Sequence, residues 1–255
     1  MYYKVIIQIP LILEPEITQL FFDCGAIMID TKKQKQSVTL TAHTHNVKPF
    51  YTQFDKELLI VEKYTPTKAA EKKIAYHYDK KQPPLSLICH DAFGDGNHPT
   101  TQMCIKLLRS TLKKHSPQSL CDIGTGTGIL SLIAYKQGIR NILALDYDAK
   151  SIARTKQNMR NNNARFTVQH RDIIKQKVAR NFDLIIANMN SAILEQAWAN
   201  ILTALSKTGT LILSGIGTQW VADIKRIVLT ADFIIETEQT KGDWWACVCI
   251  RKIKA

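Results

Sequence analysis

The second half of the chain alternates short, continuous apolar runs with stretches of helical periodicity. From residue 98 onward the runs are SLCDI, ILALD, FTVQ, FDLIIAN and GTLILSG, and helical stretches such as ILSLIAYKQG and DAKSIARTKQNMRNN separate them. Short apolar runs of this kind are typical of strands buried on both faces of a parallel sheet. We therefore predict an α/β domain with a doubly wound sheet. The segment DFIIETEQTKGDWWACVCIRK predicts two more strands joined by a turn, forming an antiparallel hairpin at the sheet edge.

The first 65 residues have a different pattern, in which strands and helices follow each other in the order βαββαβ. YYKVIIQI, AIMID, SVTLTAH and ELLIVEKY predict strands, and EPEITQLFFDCG and VKPFYTQF predict helices. This order is that of a small ferredoxin-like α+β sandwich. Residues 66–85 are charged and bracketed by prolines, which indicates a linker with one or two helical turns. We predict a ferredoxin-like domain over 1–65, a linker over 66–85 and a catalytic domain over 86–255.

Composition narrows the class of protein without naming a function. The 255 residues are 45% hydrophobic and 22% charged, as in a globular protein with a core, and no apolar run is long enough to span a membrane. The N-terminus has neither a basic segment nor a small-residue cleavage site, so we expect no secretory signal. Six scattered cysteines without a CxxC pair argue against a disulfide framework and offer no metal-ligand spacing. We expect a cytoplasmic protein without a metal site.

The positive charge is concentrated in one segment of the second half. The whole chain carries a net charge of +12. The segment from Lys150 to Arg180 contains nine basic residues and only one acidic residue, Asp172. A solvated helix face is the simplest interpretation. The alternative is a surface that contacts RNA or a ribonucleoprotein.

A glycine loop between the first strand and the first helix of the predicted sheet indicates a nucleotide-like ligand. Gly124, Gly126 and Gly128 stand at the sheet edge where open α/β folds bind ligands, but Ile129 breaks the GxGxxG dinucleotide fingerprint. Asp122 lies two residues before the first glycine, and a carboxylate suits a cationic ligand better than a pyrophosphate. S-adenosylmethionine carries an ammonium and a sulfonium and no phosphate, so it is favoured over NAD.

Two further polar residues follow strands of the same predicted sheet. Asp146 ends the next strand, 22 residues after Gly124, where an acid can bind ribose hydroxyls. Asn188 ends FDLIIAN, which is expected to lie beside the reacting methyl group. Its amide could accept a hydrogen bond from an attacking amine and orient the lone pair. The other role open to Asn188 is to cap the helix that follows.

These motifs resemble the PrmA family, the methyltransferases of ribosomal protein L11. AFGDGNHPTT (residues 92–101, here called the signature loop) is similar to the family's AFGTGTHPTT, and DIGTGTGILS, ALDYD, ANMNSAIL and LSGI follow in the same order. The resemblance covers roughly residues 86–250. It implies a class I S-adenosylmethionine-dependent methyltransferase fold, with cofactor contacts at Thr101, Gly124, Asp146 and Asn188. It also implies methylation of amino groups, on lysines or an N-terminus, of a ribosomal protein held by the small first domain, and a basic catalytic domain that could rest near ribosomal RNA.

The chain departs from the family signature at two positions, where Asp95 and Asn97 replace threonines. Asp95 would add negative charge near the cofactor, so we expect it to tune the cofactor or substrate site. The departures leave cofactor use intact and the substrate open. Methylation of lysines in another protein, methylation of RNA through the 150–180 segment, and a ribosome-binding factor without turnover remain alternatives.

Overall fold

A computed structural model of the chain describes residues 2–24, 26, 28–44, 46–64, 73–89, 94–178 and 181–252. Backbone contacts divide the chain into two compact units, residues 1–70 and 71–255. His45, the segment 65–72 and the first two residues of the signature loop, 92 and 93, lie outside the described residues.

The N-terminal unit is a four-stranded antiparallel sheet with two helices. The strands occur in the spatial order β2-β3-β1-β4, so the first strand is central and β2 and β4 form the edges. Strand β3 alternates buried and partly exposed positions, and its buried side chains pack with Phe21 and Phe50 into the core of the unit. The elements are β1 (Tyr2–Pro10), α1 (Glu14–Asp23), β2 (Met28–Lys33), β3 (Ser37–Thr44), α2 (Lys48–Gln53) and β4 (Ile60–Tyr64).

A two-stranded hairpin begins the described part of the second unit. Strands β5 (Lys73–Tyr76) and β6 (Leu85–Ile88) pair antiparallel, and Leu85 and Leu87 are fully buried in the core of that unit. The expectation of helical turns in the linker is therefore wrong over Lys73–Tyr76. Ile74 and Tyr76 on β5, like Leu85 and Leu87 on β6, pack against the apolar core, which stabilises a strand within a charged segment.

The second unit is a seven-stranded, mostly parallel sheet with helices on both faces. The spatial order β12-β13-β11-β10-β7-β8-β9 is parallel except for β13, which runs antiparallel to β11 and β12. The prediction of a doubly wound sheet with an antiparallel C-terminal hairpin is confirmed. The elements are α3 (Pro99–His115), β7 (Ser119–Ile123), α4 (Ile129–Lys136), β8 (Asn141–Asp146), α5 (Ala149–Asn161), β9 (Thr167–His170), β10 (Phe182–Asn188), α6 (Ser191–Ala204), β11 (Leu205–Gly217), α7 (Val221–Thr230), β12 (Phe233–Lys241) and β13 (Trp244–Arg251).

Each face of this sheet has its own core. One core contains the apolar side chains of α3 and α4 together with Leu120, Leu184 and Ile186, and the other contains those of α6 and α7 together with Cys121 and Ile185. Because consecutive strand residues face opposite sides, every residue of β7 is buried. Among the described residues, no helix has the length and apolar character needed to cross a membrane.

Candidate functional site

The strand registers bring the predicted site residues to one edge of the sheet. Asp122 lies opposite Ala144 on β8 and Ile186 on β10, so the ends of these strands are level. Asp146 and Asn188 are therefore the last residues of the two strands that flank β7. The backbone oxygen of Asn188 lies 3.9 Å from the ideal Cβ position of Gly124. The carboxyl ends of β7, β8 and β10 meet here, as in ligand sites of open α/β sheets.

The glycine loop is held in shape by the buried Asp122 carboxylate. Its Oδ2 accepts hydrogen bonds from the Thr125 hydroxyl at 2.7 Å, from the Ser131 hydroxyl at 2.7 Å and from the Ser131 backbone N–H at 3.2 Å. Gly124 in this loop has φ +73°, a left-handed backbone conformation that residues other than glycine rarely adopt. Asp122 thus fixes both ends of the turn from strand to helix.

Asp122 is 1% exposed, and burial raises the pKa of its carboxyl group, while the Ser131 and Thr125 hydrogen bonds lower it. The sequence suggested that this side chain contacts the cofactor's cationic end. In the structure its described hydrogen bonds lead to Thr125 in the loop and to Ser131 in the first turn of α4. We therefore assign Asp122 a structural role, which is to stabilise the conformation of the glycine loop. A direct contact between Asp122 and the cofactor stays a prediction.

Asp146 faces the same loop from the end of β8. Its Oδ2 accepts from Gly126 N–H at 2.9 Å and its Oδ1 from Asp148 N–H at 3.0 Å. Burial raises the pKa of this carboxyl to about 6, against the lowering effect of the two backbone hydrogen bonds. Each carboxylate oxygen has a second lone pair, so Asp146 keeps acceptor capacity for ligand hydroxyls.

Asn188 ends β10 with its side chain half-buried, and within the described part of the chain no hydrogen bond engages its amide. The cap of α6 is Asn190, whose Oδ1 accepts from Ile193 N–H at 2.9 Å. The suggestion that Asn188 caps this helix is therefore wrong. Because Asn190 takes that role, the Asn188 amide remains available at the edge where the strands meet.

Thr101 lies in the first turn of α3, near the end of β11. Ser214, which pairs with Asn188 across β10 and β11, donates from its hydroxyl to the Thr100 carbonyl at 3.4 Å. His98 caps the helix, since its Nδ1 accepts from Thr100 N–H at 3.3 Å, and burial lowers the pKa of its imidazole. The Thr101 hydroxyl is buried and has no hydrogen-bond partner among the described residues. A buried hydroxyl in that state is costly unless a ligand supplies the partner.

Within the described part of the signature loop, Asp95 and Asn97 bind each other. The two carboxylate oxygens of Asp95 accept from the backbone N–H and the side-chain amide of Asn97, each at 2.9 Å. Between them, the backbone of Gly96 lies against the Tyr76 ring, where an added Cβ would come within 2.1 Å of a ring carbon. Burial, and after it the charge of Asp95, raises the pKa of the Tyr76 phenol.

Helix α5 supplies polar contacts that were not predicted from the sequence. Thr155 donates to the Gly126 carbonyl at 2.8 Å, and Asn158 donates to the Thr127 carbonyl at 2.9 Å. Both side chains are fully buried. Their spacing of three residues places them on one face of the helix. This pair of uncharged polar residues on one face of a basic helix was the only sequence feature that could have indicated these contacts.

The basic segment 150–180 does not form one surface. Arg154 is 5% exposed and donates to Gln157, Arg171 donates to the Lys177 carbonyl, and Lys175 pairs with Asp172 at 3.5 Å. Arg160 and Arg165 are exposed, close to the amino ends of β8 and β9. Arg180 lies outside the described residues.

The chain matches a family model described as "Ribosomal protein L11 methyltransferase (PrmA)" over residues 27–252. It is 34% identical over 157 residues to a protein named ribosomal protein L11 methyltransferase from Dictyoglomus turgidum, covering 62% of this chain and 52% of the relative. A protein of the same name from Staphylococcus saprophyticus is 38% identical over 127 residues, or 49% of this chain and 40% of the relative. The chain thus spans about half the length of the curated relatives it matches.

Solved structures show the same catalytic fold. The structure titled ribosomal protein L11 methylase from Lactobacillus delbrueckii subsp. bulgaricus has a TM-score of 0.59 and 29% identity, covering 64% of this chain and 82% of that one. A putative methyltransferase, yhhF from Escherichia coli, has a TM-score of 0.58 at 13% identity, covering 72% of this chain and all of that one, and this likeness concerns the fold alone.

Proposed function

The chain belongs to the ribosomal protein L11 methyltransferase (PrmA) family, and from that premise we propose that it transfers methyl groups from S-adenosylmethionine to amino groups of a ribosomal protein. The observation that carries the proposal is the meeting of Gly124, Asp146 and Asn188 at the carboxyl ends of three adjacent strands. Lysine side chains or an N-terminal amine are the proposed acceptors, and the cytoplasm is the proposed compartment.

Four features of the site fit the cofactor. The Asp146 carboxylate has spare acceptor capacity for ribose hydroxyls, and the loop at Gly124 lets a ligand approach the backbone closely. The buried Thr101 hydroxyl has no partner among the described residues, and the buried negative charge of Asp122 suits a cationic ligand. We propose Thr101, Asp122, Gly124, Gly126, Asp146 and Asn188 as the residues that hold it.

Bound S-adenosylmethionine would supply an electrophilic methyl group on a sulfonium. The Asn188 amide oxygen would accept a hydrogen bond from the incoming amine and point its lone pair at the reaction centre. This alignment accelerates an in-line displacement by proximity and orientation. Because an unperturbed lysine has a pKa near 10.4, the acceptor must release a proton to solvent before attack. The neutral amide of Asn188 cannot take this proton, and its role would be to orient the uncharged amine.

We further propose that residues 1–65, as a ferredoxin-like domain, recognise the protein substrate. Its described surface exposes large apolar side chains, among them Ile12 at 85%, Leu58 at 62% and Ile60 at 62%. Exposed apolar side chains and an available edge strand such as β4 are features of protein-binding surfaces. The exposed Leu58 and Ile60 precede and begin that edge strand.

One labelling experiment tests the proposal. Purified protein is incubated with tritiated S-adenosylmethionine and, separately, ribosomes, free ribosomal proteins and ribosomal RNA. We expect label in protein, with a loss of about a hundredfold in kcat for Asn188→Ala and a smaller loss of cofactor affinity, because the side chain is proposed to touch both the cofactor and the incoming amine. Label in RNA, or label in protein that Asn188→Ala does not reduce, would overturn it. Cofactor binding without any label would favour the alternative of a ribosome-binding factor.

Contact with ribosomal RNA is a second proposal. The residues proposed for it are no longer the whole 150–180 segment but four basic residues at one end of the sheet. Lys136, Arg140, Arg160 and Arg165 (here called the basic edge) surround the amino ends of β8 and β9, at the other end of the sheet from Asp146. Lys136 donates to the Asn162 carbonyl at 3.0 Å, which joins the ends of α4 and α5. The described chain has no carboxylate over residues 135–145 or 149–171 to neutralise these cations.

The RNA proposal is tested by binding of total ribosomal RNA at several salt concentrations. Reversing Arg140, Arg160 and Arg165 to Glu should weaken binding and flatten its salt dependence, because the slope falls by about one for every phosphate that is no longer bound. The control reverses the exposed Lys106, Lys113 and Lys207 of the same unit. Equal losses of affinity in both variants would mean that net charge alone drives the binding.

A further inference from the structure

A buried amide on α5 connects the glycine loop to the strand that leads into the signature loop. Asn158 is 0% exposed, and its Oδ1 accepts from Ile88 N–H at 2.8 Å. Its Nδ2 donates to the Ile88 carbonyl at 3.0 Å and to the Thr127 carbonyl at 2.9 Å. The Asn158 side chain thus forms hydrogen bonds with both backbone groups of Ile88, the last residue of β6, as a neighbouring strand would. The same side chain also holds the glycine loop at Thr127.

Thr127 closes the connection at its other end. Its hydroxyl donates to the Gly94 carbonyl at 2.6 Å, and Gly94 belongs to the signature loop. The glycine loop is therefore tied before and after the segment 89–93, at Ile88 through Asn158 and at Gly94 through Thr127. Thr155 adds a third tie from α5 to the loop, at the Gly126 carbonyl.

These bonds determine which way the loop's peptides face. In a trans peptide the C=O and the following N–H point in opposite directions. When Thr155 and Asn158 hold the carbonyls of Gly126 and Thr127 toward α5, the N–H of Thr127 is turned away from α5. Without these donors, two buried carbonyls would be unsatisfied, and the peptides could rotate to find other partners.

We propose that Asn158 is a positioning residue for the cofactor, which sets the glycine loop and the signature loop in one arrangement before the cofactor binds. This inference rests on the proposed function, because it concerns the same cofactor site. The Asn158 side chain is fully buried and its described hydrogen bonds lead to Ile88 and Thr127, so it would act on the cofactor site through Thr127. Without the Asn158 amide, the cofactor would have to order the glycine loop when it binds. The entropy lost in ordering the loop would lower the affinity for the cofactor.

The chain contains a matched control four residues away. Asn162 pairs with Ser86 on β6 in the same manner, accepting from its N–H and donating to its carbonyl, both at 2.9 Å. Asn162 is 6% exposed, and its side-chain hydrogen bonds lead to Ser86 and to the Asn158 carbonyl rather than to the glycine loop. Asn158→Ala and Asn162→Ala therefore each remove a side-chain pair to β6, and only the first removes a hydrogen bond to the loop.

The experiment measures Tm and the Kd of S-adenosylmethionine and S-adenosylhomocysteine by calorimetry for the full chain. We expect both alanine variants to lower Tm, and only Asn158→Ala to raise both Kd values, by about tenfold. A second comparison avoids variants that fail to fold: Thr155→Val removes the hydroxyl but keeps the methyl group, and should raise Kd several-fold, whereas Thr155→Ser should retain the affinity.

Equal Kd values for the Asn158 and Asn162 variants, together with an unchanged Kd in Thr155→Val, would overturn the inference. If Asn158→Ala does not fold, the Thr155 pair decides alone. If the unaltered protein binds neither ligand, the proposed function itself fails, and the two failures are thereby distinguished.

Discussion

The two units differ in how many polar side chains they bury, although both expose some large apolar side chains. In the N-terminal unit, Thr44 is the only polar side chain that is buried among the described residues, while large apolar side chains such as Ile12 and Ile60 lie outside. The second unit buries many polar groups, including Asp122, Asp146 and Asn158. Nearly all of those described at the glycine loop are engaged by backbone or hydroxyl groups.

This difference corresponds to the two proposed kinds of binding site. A small cationic ligand needs fixed acceptors and loops, and buried hydrogen bonds supply that rigidity at the cost of desolvation. A protein partner needs an exposed surface with apolar side chains, and a simple apolar core suffices to support it. The buried polar network of the second unit thus fits the proposed cofactor site, and the exposed apolar side chains of the first fit the proposed recognition of a protein substrate.

The largest expected effect comes from damage to the first unit's core. Phe50 is fully buried and packs edge-on against Phe21 with ring centroids 5.2 Å apart. Phe50→Ala should lower the free energy of unfolding of this unit by about 3–5 kcal/mol. If the units are separate in function, methylation of protein should fall while the Kd of S-adenosylmethionine is unchanged. A weakened affinity for the cofactor would break the comparison.

Acidification should weaken cofactor binding by the second unit. Burial raises the pKa of Asp146 to about 6, and ligand hydroxyls bind the ionised carboxylate better than the neutral acid. The Kd of S-adenosylmethionine should therefore rise about tenfold per pH unit below pH 6, and level off above it. Calorimetry between pH 5 and 8 measures this, with Asp146→Asn as the variant whose affinity should be weaker and nearly independent of pH.

The same raised pKa has a consequence for stability without the cofactor. Between the ordinary carboxyl pKa and about 6 the folded state holds the Asp146 proton and the unfolded state does not. This group's contribution to the free energy of unfolding therefore declines as the pH rises through that window. Asp146→Asn should remove that decline in urea denaturation, and an unaltered pH dependence in the variant would contradict it.

The smallest expected effect on stability is at the exposed face of the first unit. Ile60 is 62% exposed on edge strand β4, so Ile60→Lys should change the free energy of unfolding by no more than about 0.5 kcal/mol. The KM for the protein substrate should nevertheless rise, with the cofactor Kd unchanged. Lys63→Glu on the same strand serves as a control for altered charge. An unchanged KM in Ile60→Lys would remove this face from the recognition surface.

Much of the second unit was predictable because its signals are local. Apolar runs such as FDLIIAN need only burial on both faces to form parallel strands, and the glycine loop indicates the edge at which open α/β sheets bind ligands. Strand β5 was not predicted, because its apolar run, Ile74 to Tyr76, is only three residues long and stands within a charged segment; pairing with β6 stabilises it. Tertiary pairing there outweighed the local helical pattern.

The polar details of the site were less accessible to sequence. Asn188 and Asn190 are equivalent as helix caps on composition alone, and only the backbone conformation assigns the cap to Asn190. The segment containing Thr155 and Asn158 suggested a solvated basic helix, since a charged neighbour at each turn masks the buried face. Which face of a helix is buried depends on the elements that pack against it. Here one of these elements is β6, a strand that was not predicted from the sequence.

The bond between Asp95 and Asn97 changes how the signature loop should be compared with those of its relatives. Two departures that look independent in an alignment are one physical unit, since each residue supplies what the other requires. Asn97 is exposed, so in a single Asp95→Thr variant water can solvate its amide, and any defect would combine the loss of this pair with the loss of the Asp95 charge. Only the double replacement returns the loop to the form of its relatives, and the double-mutant cycle is therefore the proper unit of comparison.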